Sequence, residues 1–188
     1  MYTLFNQKHG KEMITVLPGE RLASENDIII ATVLGSCVSI VLIDSSLGIG
    51  GLNHFMLPGD RDDFHSLGTS GKYGVHALPL LIEDMESLGA RRNRLQAKIF
   101  GGGKVLQNIP GNRAWTPEDN IAFAEAALAG HDIPITAYDV GGDYGRKILF
   151  FVKEGKVMVK KLAREVMTPV IAEETNIIRE IAGGQKHP

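Results

Sequence analysis

Two residues in this chain have the chemistry and the spacing for covalent catalysis. Cys37 is the only cysteine and sits in a Gly35-Ser36-Cys37 bend; His54 follows seventeen residues later, inside a second apolar run. Between them lie residues 38–44, rich in β-branched and apolar side chains, and the turn-rich Asp44-Ser45-Ser46-Leu47-Gly48. Two apolar runs around such a turn read as an antiparallel hairpin. A hairpin folds its arms back on each other, so Cys37 near the start of one arm and His54 near the end of the other become neighbours. A thiol beside an imidazole is the minimal equipment for nucleophilic catalysis, because the imidazole favours the reactive thiolate. Backbone N–H groups of the bend, around Ser36 and Cys37, could converge on an oxyanion. The competing reading is a buried cysteine that serves as a small hydrophobe, beside a core histidine.

A cysteine–histidine pair gains from a third group that fixes the ring. Thr32, in the strand entering the bend, is the best-placed hydroxyl. Asn53 is a rival, but successive strand residues point to opposite faces, which sets it apart from His54. Thr32 also reads simply as a β-former in a strand. Of the other histidines, His9 and His187 lie near the ends and His65 and His131 in loops. His76 opens a helix, from which it could face the same cleft. With no His-x-x-x-His pair and no cysteine cluster, the chain carries no metal pattern. Gly101-Gly102-Gly103-Lys104 lacks the spacing and the hydroxyl residue of a phosphate loop. Its glycines, like Gly141-Gly142 and Gly145, read as places where backbone passes close to a neighbour. Arg146-Lys147 reads as a basic rim or a solvated pair. No cofactor is expected.

The elements that must hold these groups follow from periodicity and punctuation. Residues 13–17 form a short strand closed by Pro18-Gly19, and residues 28–33 a buried one. Val75, Leu78, Leu81, Ile82, Met85 and Leu88 recur at helical spacing up to Gly89. Residues 95–100 are a strand. Thr116-Pro117-Glu118-Asp119 starts a helix that runs to Gly130, with a capping hydroxyl, proline at the first position and acids against the dipole. A strand at 134–139 and a hairpin around Glu154-Gly155 follow. Residues 1–12 are expected to be a flexible polar lead-in, and residues 60–70 a surface loop or lid. The tail from Leu162 is expected to carry a helix over 171–181. Strands outnumber helices and include hairpins, so the fold class is α+β, not a doubly wound parallel sheet.

Composition narrows the setting. The chain has 188 residues, 44% hydrophobic and 22% charged, which suits one globular domain. A net charge of −2 supplies no general drive toward nucleic acid or membrane, the Arg91-Arg92-Asn93-Arg94 cluster aside. One cysteine excludes an internal disulfide. No apolar run reaches the roughly 18 to 20 residues of a membrane span, and the first residues lack the apolar core of a signal peptide. A reducing, cytoplasmic setting is expected, where the thiol stays free.

Five stretches carry a family resemblance: Pro18-Gly19-Glu20, TVLGSCVSIVLID from Thr32, GIGGLNHFMLPG from Gly48, GKYGVHALPLLIEDMESLGARRNRLQAKIFGGG from Gly71, and DVGGDYGRKILFFVKEGKV from Asp139. In this order they resemble the CheD family, the chemoreceptor glutamine deamidases of bacterial chemotaxis. The match covers residues 13–161, a deamidase domain, and leaves 162–188 as a partly helical C-terminal extension. The resemblance implies layered β-sheets with helices packed outside, similar to the catalytic domain of deamidating bacterial toxins. It implies a Cys-His-Thr triad of Cys37, His54 and Thr32, with Ala31 at the adjacent position of the pattern. The implied reaction is that of a protein-glutamine glutaminase. The thiolate attacks a glutamine side-chain amide, ammonia departs with a proton from His54, and water hydrolyses the thioester to leave glutamate. The implied partners are the cytoplasmic helical region of methyl-accepting chemotaxis receptors and the CheC phosphatase, with no cofactor, metal, nucleic acid or membrane insertion. Two alternatives stay open. One is a non-catalytic adaptor that binds receptor or CheC. The other is a cysteine hydrolase for another acyl bond, such as a peptide or a glutamate methyl ester.

Overall fold

The computed structural model describes residues 1–59, 70–105 and 116–184. One five-stranded sheet contains, in spatial order, β1 (Tyr2–Asn6), β2 (Lys11–Thr15), β4 (Ile29–Leu34), β9 (Gly145–Phe151) and β10 (Lys156–Leu162). The other contains β3 (Arg21–Ser24), β6 (Ile49–Asn53), β5 (Val38–Asp44), β7 (Gln96–Gly101) and β8 (Ile135–Val140). Three helices complete the described elements: α1 (Gly74–Ser87), α2 (Pro117–Gly130) and α3 (Thr168–Gly184).

The period-2 alternation of β5 sorts the layers. Val38, Ile40 and Leu42 face a core shared with Leu78, Leu81 and Met85 of α1 and Ala124 and Leu128 of α2. Cys37, Val41 and Ile43 face the opposite way, into a core shared with Ile30 and Leu34 of β4 and Ile148 and Phe150 of β9. The second sheet is therefore the middle layer, between the first sheet and helices α1 and α2. That is the α+β layering expected. β5 is buried on both faces, which is why its sequence is almost continuously apolar.

The expected β5–β6 hairpin forms, with Val41 opposite Leu52 and Asp44 opposite Ile49. Its turn is fixed by a buried charge. Asp44 accepts hydrogen bonds from Arg94 Nε (3.0 Å) and Nη2 (2.7 Å), from the backbone N–H of Arg91 (3.2 Å) and from that of Ser46 (3.2 Å). These donors outweigh desolvation and hold its pKa down to about 2. Arg94 is thereby absorbed into the fold, and Arg92 pairs with Glu86. The arginine cluster is not an open basic patch.

Two expectations are corrected. Residues 1–12 contain β1 and the start of β2, which pair antiparallel with Tyr2 opposite Thr15. Tyr2, Leu4 and Phe5 of this strand are exposed, and its order comes from the ladder it forms with β2. Arg146 is neither rim nor solvated. It is completely buried, donates to Asp139 Oδ1 (2.8 Å) and to the Gly141 carbonyl (2.7 Å), and so ties β9 of the first sheet to the β8 end of the second. The expected loop at 60–70 lies, for residues 60–69, outside the described residues.

Asp44→Ala is expected to lower stability by about 2 kcal/mol, the range for hydrogen bonds to a charged group. The Asp44 carboxylate stabilises fully above its ordinary pKa of 3.8, and that contribution is lost as pH falls through about 2. Urea unfolding of both chains should show their difference at pH 7 and its decline below pH 4.

Candidate active site

The chain crosses from the first sheet to the second in three residues. β4 ends at Leu34, Gly35 and Ser36 make the bend, and β5 begins at Val38. Cys37 lies at the end of this crossover. The end of β7 clamps it: Gly102 N–H donates to the Cys37 carbonyl and Gly103 N–H to the Gly35 carbonyl, both at 2.8 Å. Gly101 has φ +109°, and a Cβ there would lie 2.2 Å from the Cys37 carbonyl oxygen. The glycine run is thus a close-approach device, as the sequence suggests, and not a phosphate loop.

His54 follows β6 and keeps that strand's direction through Phe55, whose backbone exchanges hydrogen bonds with Val38. With Val38 opposite Phe55, alternation turns Cys37 and His54 to the other face, toward the first sheet. The Pro18-Gly19-Glu20 turn secures His54 from its other edge. Gly19 N–H donates to the His54 carbonyl (2.7 Å), and His54 N–H donates to the Glu20 carbonyl (3.0 Å).

Thr32 meets this pair from β4. Its hydroxyl donates to the Val16 carbonyl (2.8 Å) and lies 2.9 Å from His54 Nδ1. With its one hydrogen committed to Val16, the hydroxyl accepts from Nδ1–H. That fixes the tautomer: Nδ1 carries the proton and Nε2 presents a lone pair. Nε2 is buried and has no hydrogen-bond partner. Cys37 Sγ, a His54 ring nitrogen and a Glu174 carboxylate oxygen lie within 4.8 Å of one another. Cys37, His54 and Thr32 are therefore brought together between the two sheets, all essentially without exposed surface. Asn53 is turned away, its Oδ1 accepting from Ile40 N–H (2.9 Å). His76 is buried in the first turn of α1 and is not part of the Cys37 cluster.

Electrostatics follow from burial. Desolvation pulls the His54 pKa down to about 4, against a smaller upward pull from Glu20. Desolvation and the neighbouring Glu174 push the Cys37 thiol well above its usual range. At neutral pH both groups are uncharged, a thiol and a neutral imidazole.

Two residues of the site escape sequence reasoning. Asn120, on α2, donates to the carbonyls of Ser36 (3.3 Å) and Met56 (2.8 Å), and so pins the crossover to the His54 strand. Its one signal is a polar residue on the i, i+4, i+8 stripe it shares with buried Ala124 and Leu128. Glu174, on α3, accepts from Gly35 N–H (3.0 Å), Ser36 N–H (3.1 Å) and Ser36 Oγ (2.8 Å). The N–H groups that converge on this carboxylate, itself within 4.8 Å of the Cys37 sulfur, are those of Gly35 and Ser36. The Cys37–His54–Glu174 group could in principle hold a metal ion. A ligating thiolate and a neutral histidine fit such a role, but both Glu174 oxygens already accept from Gly35 and Ser36.

Known proteins resemble this chain over most of its length. The family model "CheD chemotactic sensory transduction" matches residues 56–161. A Laribacter hongkongensis protein named probable chemoreceptor glutamine deamidase CheD is 44% identical over 179 residues, covering 95% of this chain and 85% of the relative. A Dechloromonas aromatica protein named probable chemoreceptor glutamine deamidase CheD 1 is 40% identical, covering 95% and 88%. A Chromobacterium violaceum relative of the same description, CheD 2, is 43% identical over 80% of this chain and 74% of its own length.

A neutral His54 has a pH signature. Between about pH 4 and 6.5 the unfolded chain binds a proton that the folded one refuses, so stability falls as pH drops through that window. From pH 7.5 to pH 5 this loss is about 2 kcal/mol. Glu174, whose pKa burial raises, acts with the opposite sign as pH rises above its ordinary 4.5. Urea unfolding of the parent and His54→Gln isolates the histidine: the variant should lose the extra acid sensitivity, and parallel profiles would refute the neutral ring.

Proposed function

This chain belongs to the CheD family, and we propose that it is a protein-glutamine deamidase that converts glutamine side chains of chemotaxis receptors to glutamate. The observation that carries this reading is the Thr32–His54–Cys37 relay. A hydroxyl with its proton committed elsewhere fixes the imidazole with Nε2 unpartnered, in a ring that has a nitrogen within 4.8 Å of the only thiol's sulfur. The names of the relatives support the choice of substrate.

In the first half-reaction Nε2 of His54 takes the Cys37 proton as Sγ attacks the side-chain amide carbon of the substrate. The N–H groups of Gly35 and Ser36 hold the oxygen that gains charge. The imidazolium returns its proton to the amide nitrogen, the C–N bond breaks and ammonia leaves. A water then gives a proton to His54 and attacks the thioester, and Cys37 departs as the thiol, leaving a carboxylate. Thr32 accepts from Nδ1–H throughout and keeps Nε2 on the reacting side. The low basicity of the buried ring matches a donor that must surrender its proton to ammonia.

Receptors whose cytoplasmic helical region carries the glutamines are the proposed substrate, with the CheC phosphatase as the second proposed partner and the cytoplasm as the place of action. No described helix is long and apolar enough to cross a membrane.

Incubation with a receptor cytoplasmic fragment should convert glutamine to glutamate, a gain of about one dalton per site by peptide mass spectrometry, through the thioester route. Cys37→Ala should abolish it. If the alanine variant works as well as the parent, Cys37 is not the nucleophile. If neither chain acts yet both bind receptor or CheC in pull-downs, the adaptor reading takes its place.

Thr32→Val should lower kcat on the same fragment by about 100-fold, within the range for general acid–base catalysis, while Thr32→Ser restores most of it. A change in KM alone would remove Thr32 from the relay.

A further inference from the structure

The reaction above uses Cys37, His54 and Thr32 and leaves Glu174 without a role. Glu174 is completely buried, and it accepts from the neutral donors of Gly35 and Ser36 and from the Cys37 thiol; among the described residues no cation pairs with it. A buried carboxylate without a cation is an expensive way to anchor a helix. The other contacts of this segment are apolar. Met167, in the turn before α3, lies against Gly145, where a Cβ would come within 2.3 Å of its sulfur. Ile178, one turn after Glu174, enters the same inter-sheet core as Cys37. The crossover is cut to receive the acid: a Cβ on Gly35 would sit 2.8 Å from Glu174 Oε2.

We propose that the Gly35 and Ser36 N–H pair with the Ser36 hydroxyl is an acyl pocket for a glutamine or glutamate side chain presented from a helix, and that α3 occupies it as a tethered product. The substrate class follows from α3 itself: a helix that carries the reacting glutamine with an apolar residue four positions later, as Ile178 follows Glu174. Such a pair lies on one helical face, so the glutamine enters the pocket while its neighbour packs on the inter-sheet edge. This proposal rests on the deamidase reading.

The donor set distinguishes product from substrate. Two N–H groups and a hydroxyl offer three protons, which a carboxylate accepts with both oxygens. An amide accepts with one oxygen only, and its NH2 can use Ser36 Oγ solely as an acceptor. Glutamate therefore satisfies the pocket more fully than glutamine, and α3 holds the enzyme in a product-bound state until a receptor helix displaces it. The anion of Glu174 also opposes thiolate formation at Cys37, so the docked state is chemically silent. A neutral amide at the same place removes that opposition.

Glu174→Gln in the full chain turns α3 into a substrate. Cys37 Sγ attacks the amide carbon of the substituted side chain, the C–N bond breaks, ammonia leaves with the proton relayed by His54, and water releases the acid at position 174. The purified variant should therefore have the parent's mass, with glutamate at position 174 in peptide spectra. The double variant with Cys37→Ala should retain glutamine there, with that peptide about one dalton lighter, because it lacks the nucleophile. A second full-length variant, Glu174→Arg, places a permanent cation that cannot be buried in the pocket; displacement of α3 should raise the deamidation rate on the receptor fragment about tenfold, as the competent fraction rises. An intact amide at position 174 in a Glu174→Gln chain that still deamidates the receptor fragment overturns the proposal, as does an unchanged rate for a folded Glu174→Arg. Conversion of the amide at position 174 by a chain that leaves the receptor fragment untouched upholds the pocket and removes the receptor assignment. No conversion of either substrate by any variant overturns the deamidase reading and the proposal with it.

Discussion

The crossover at residues 35–37 is the constraint on which the site depends. In three residues the chain leaves one sheet and enters the other, and those residues supply the nucleophile and the N–H pair in front of it. They cannot relax into either ladder, because β4 has ended and β5 has not begun. Their carbonyls are satisfied from outside, by Gly102, Gly103 and Asn120. The N–H groups of Gly35 and Ser36 meet a carboxylate, that of Glu174. Backbone groups that a strand would consume in its ladder become recognition groups only where the strand is interrupted.

The second constraint is dryness. Cys37, His54 and Thr32 sit between two apolar sheets, and burial disfavours every charge there. Charge on the pair exists only transiently, during transfer of a proton from thiol to ring. Preorganisation comes from the hydroxyl of Thr32 on Val16, the turn at Gly19 and Glu20 on the His54 backbone, and the buried Arg146–Asp139 ion pair that joins the two sheets. The first two fix a position without adding a charge. Glu174 departs from that pattern, and the departure makes its carboxylate informative.

How much of this the sequence could reveal depended on the range of the interaction. The hairpin was legible because turn residues and period-2 alternation are local, and they bring Cys37 and His54 together without further information. Thr32 was legible one step less directly, as the hydroxyl of the strand that feeds the bend. The helix start at Thr116 carried its own capping box and was read at its correct residue. Asn120, Arg146 and Glu174 were not legible in their roles. Asn120 reads as a helix residue, Arg146-Lys147 as a basic rim or a solvated pair, and Glu174 lies in the helix expected over 171–181. Only tertiary packing decides that these three side chains are drawn inward. β1 was missed for the opposite reason: its side chains are exposed, and its backbone pairing leaves no pattern in composition.

One consequence of the lone, sealed cysteine concerns how the molecule's opening can be followed. Cys37 is the only thiol in the chain and has no exposed surface in this conformation. A thiol-specific reagent therefore has a single target, and it reaches that target only in molecules that have opened locally. The labelling rate, without any mutation, reports how often the gap between the sheets is uncovered. A helical ligand that holds the site shut would slow labelling, and one that displaces α3 and leaves would speed it. The residue that makes the bond to substrate also serves as a clock for access to the site.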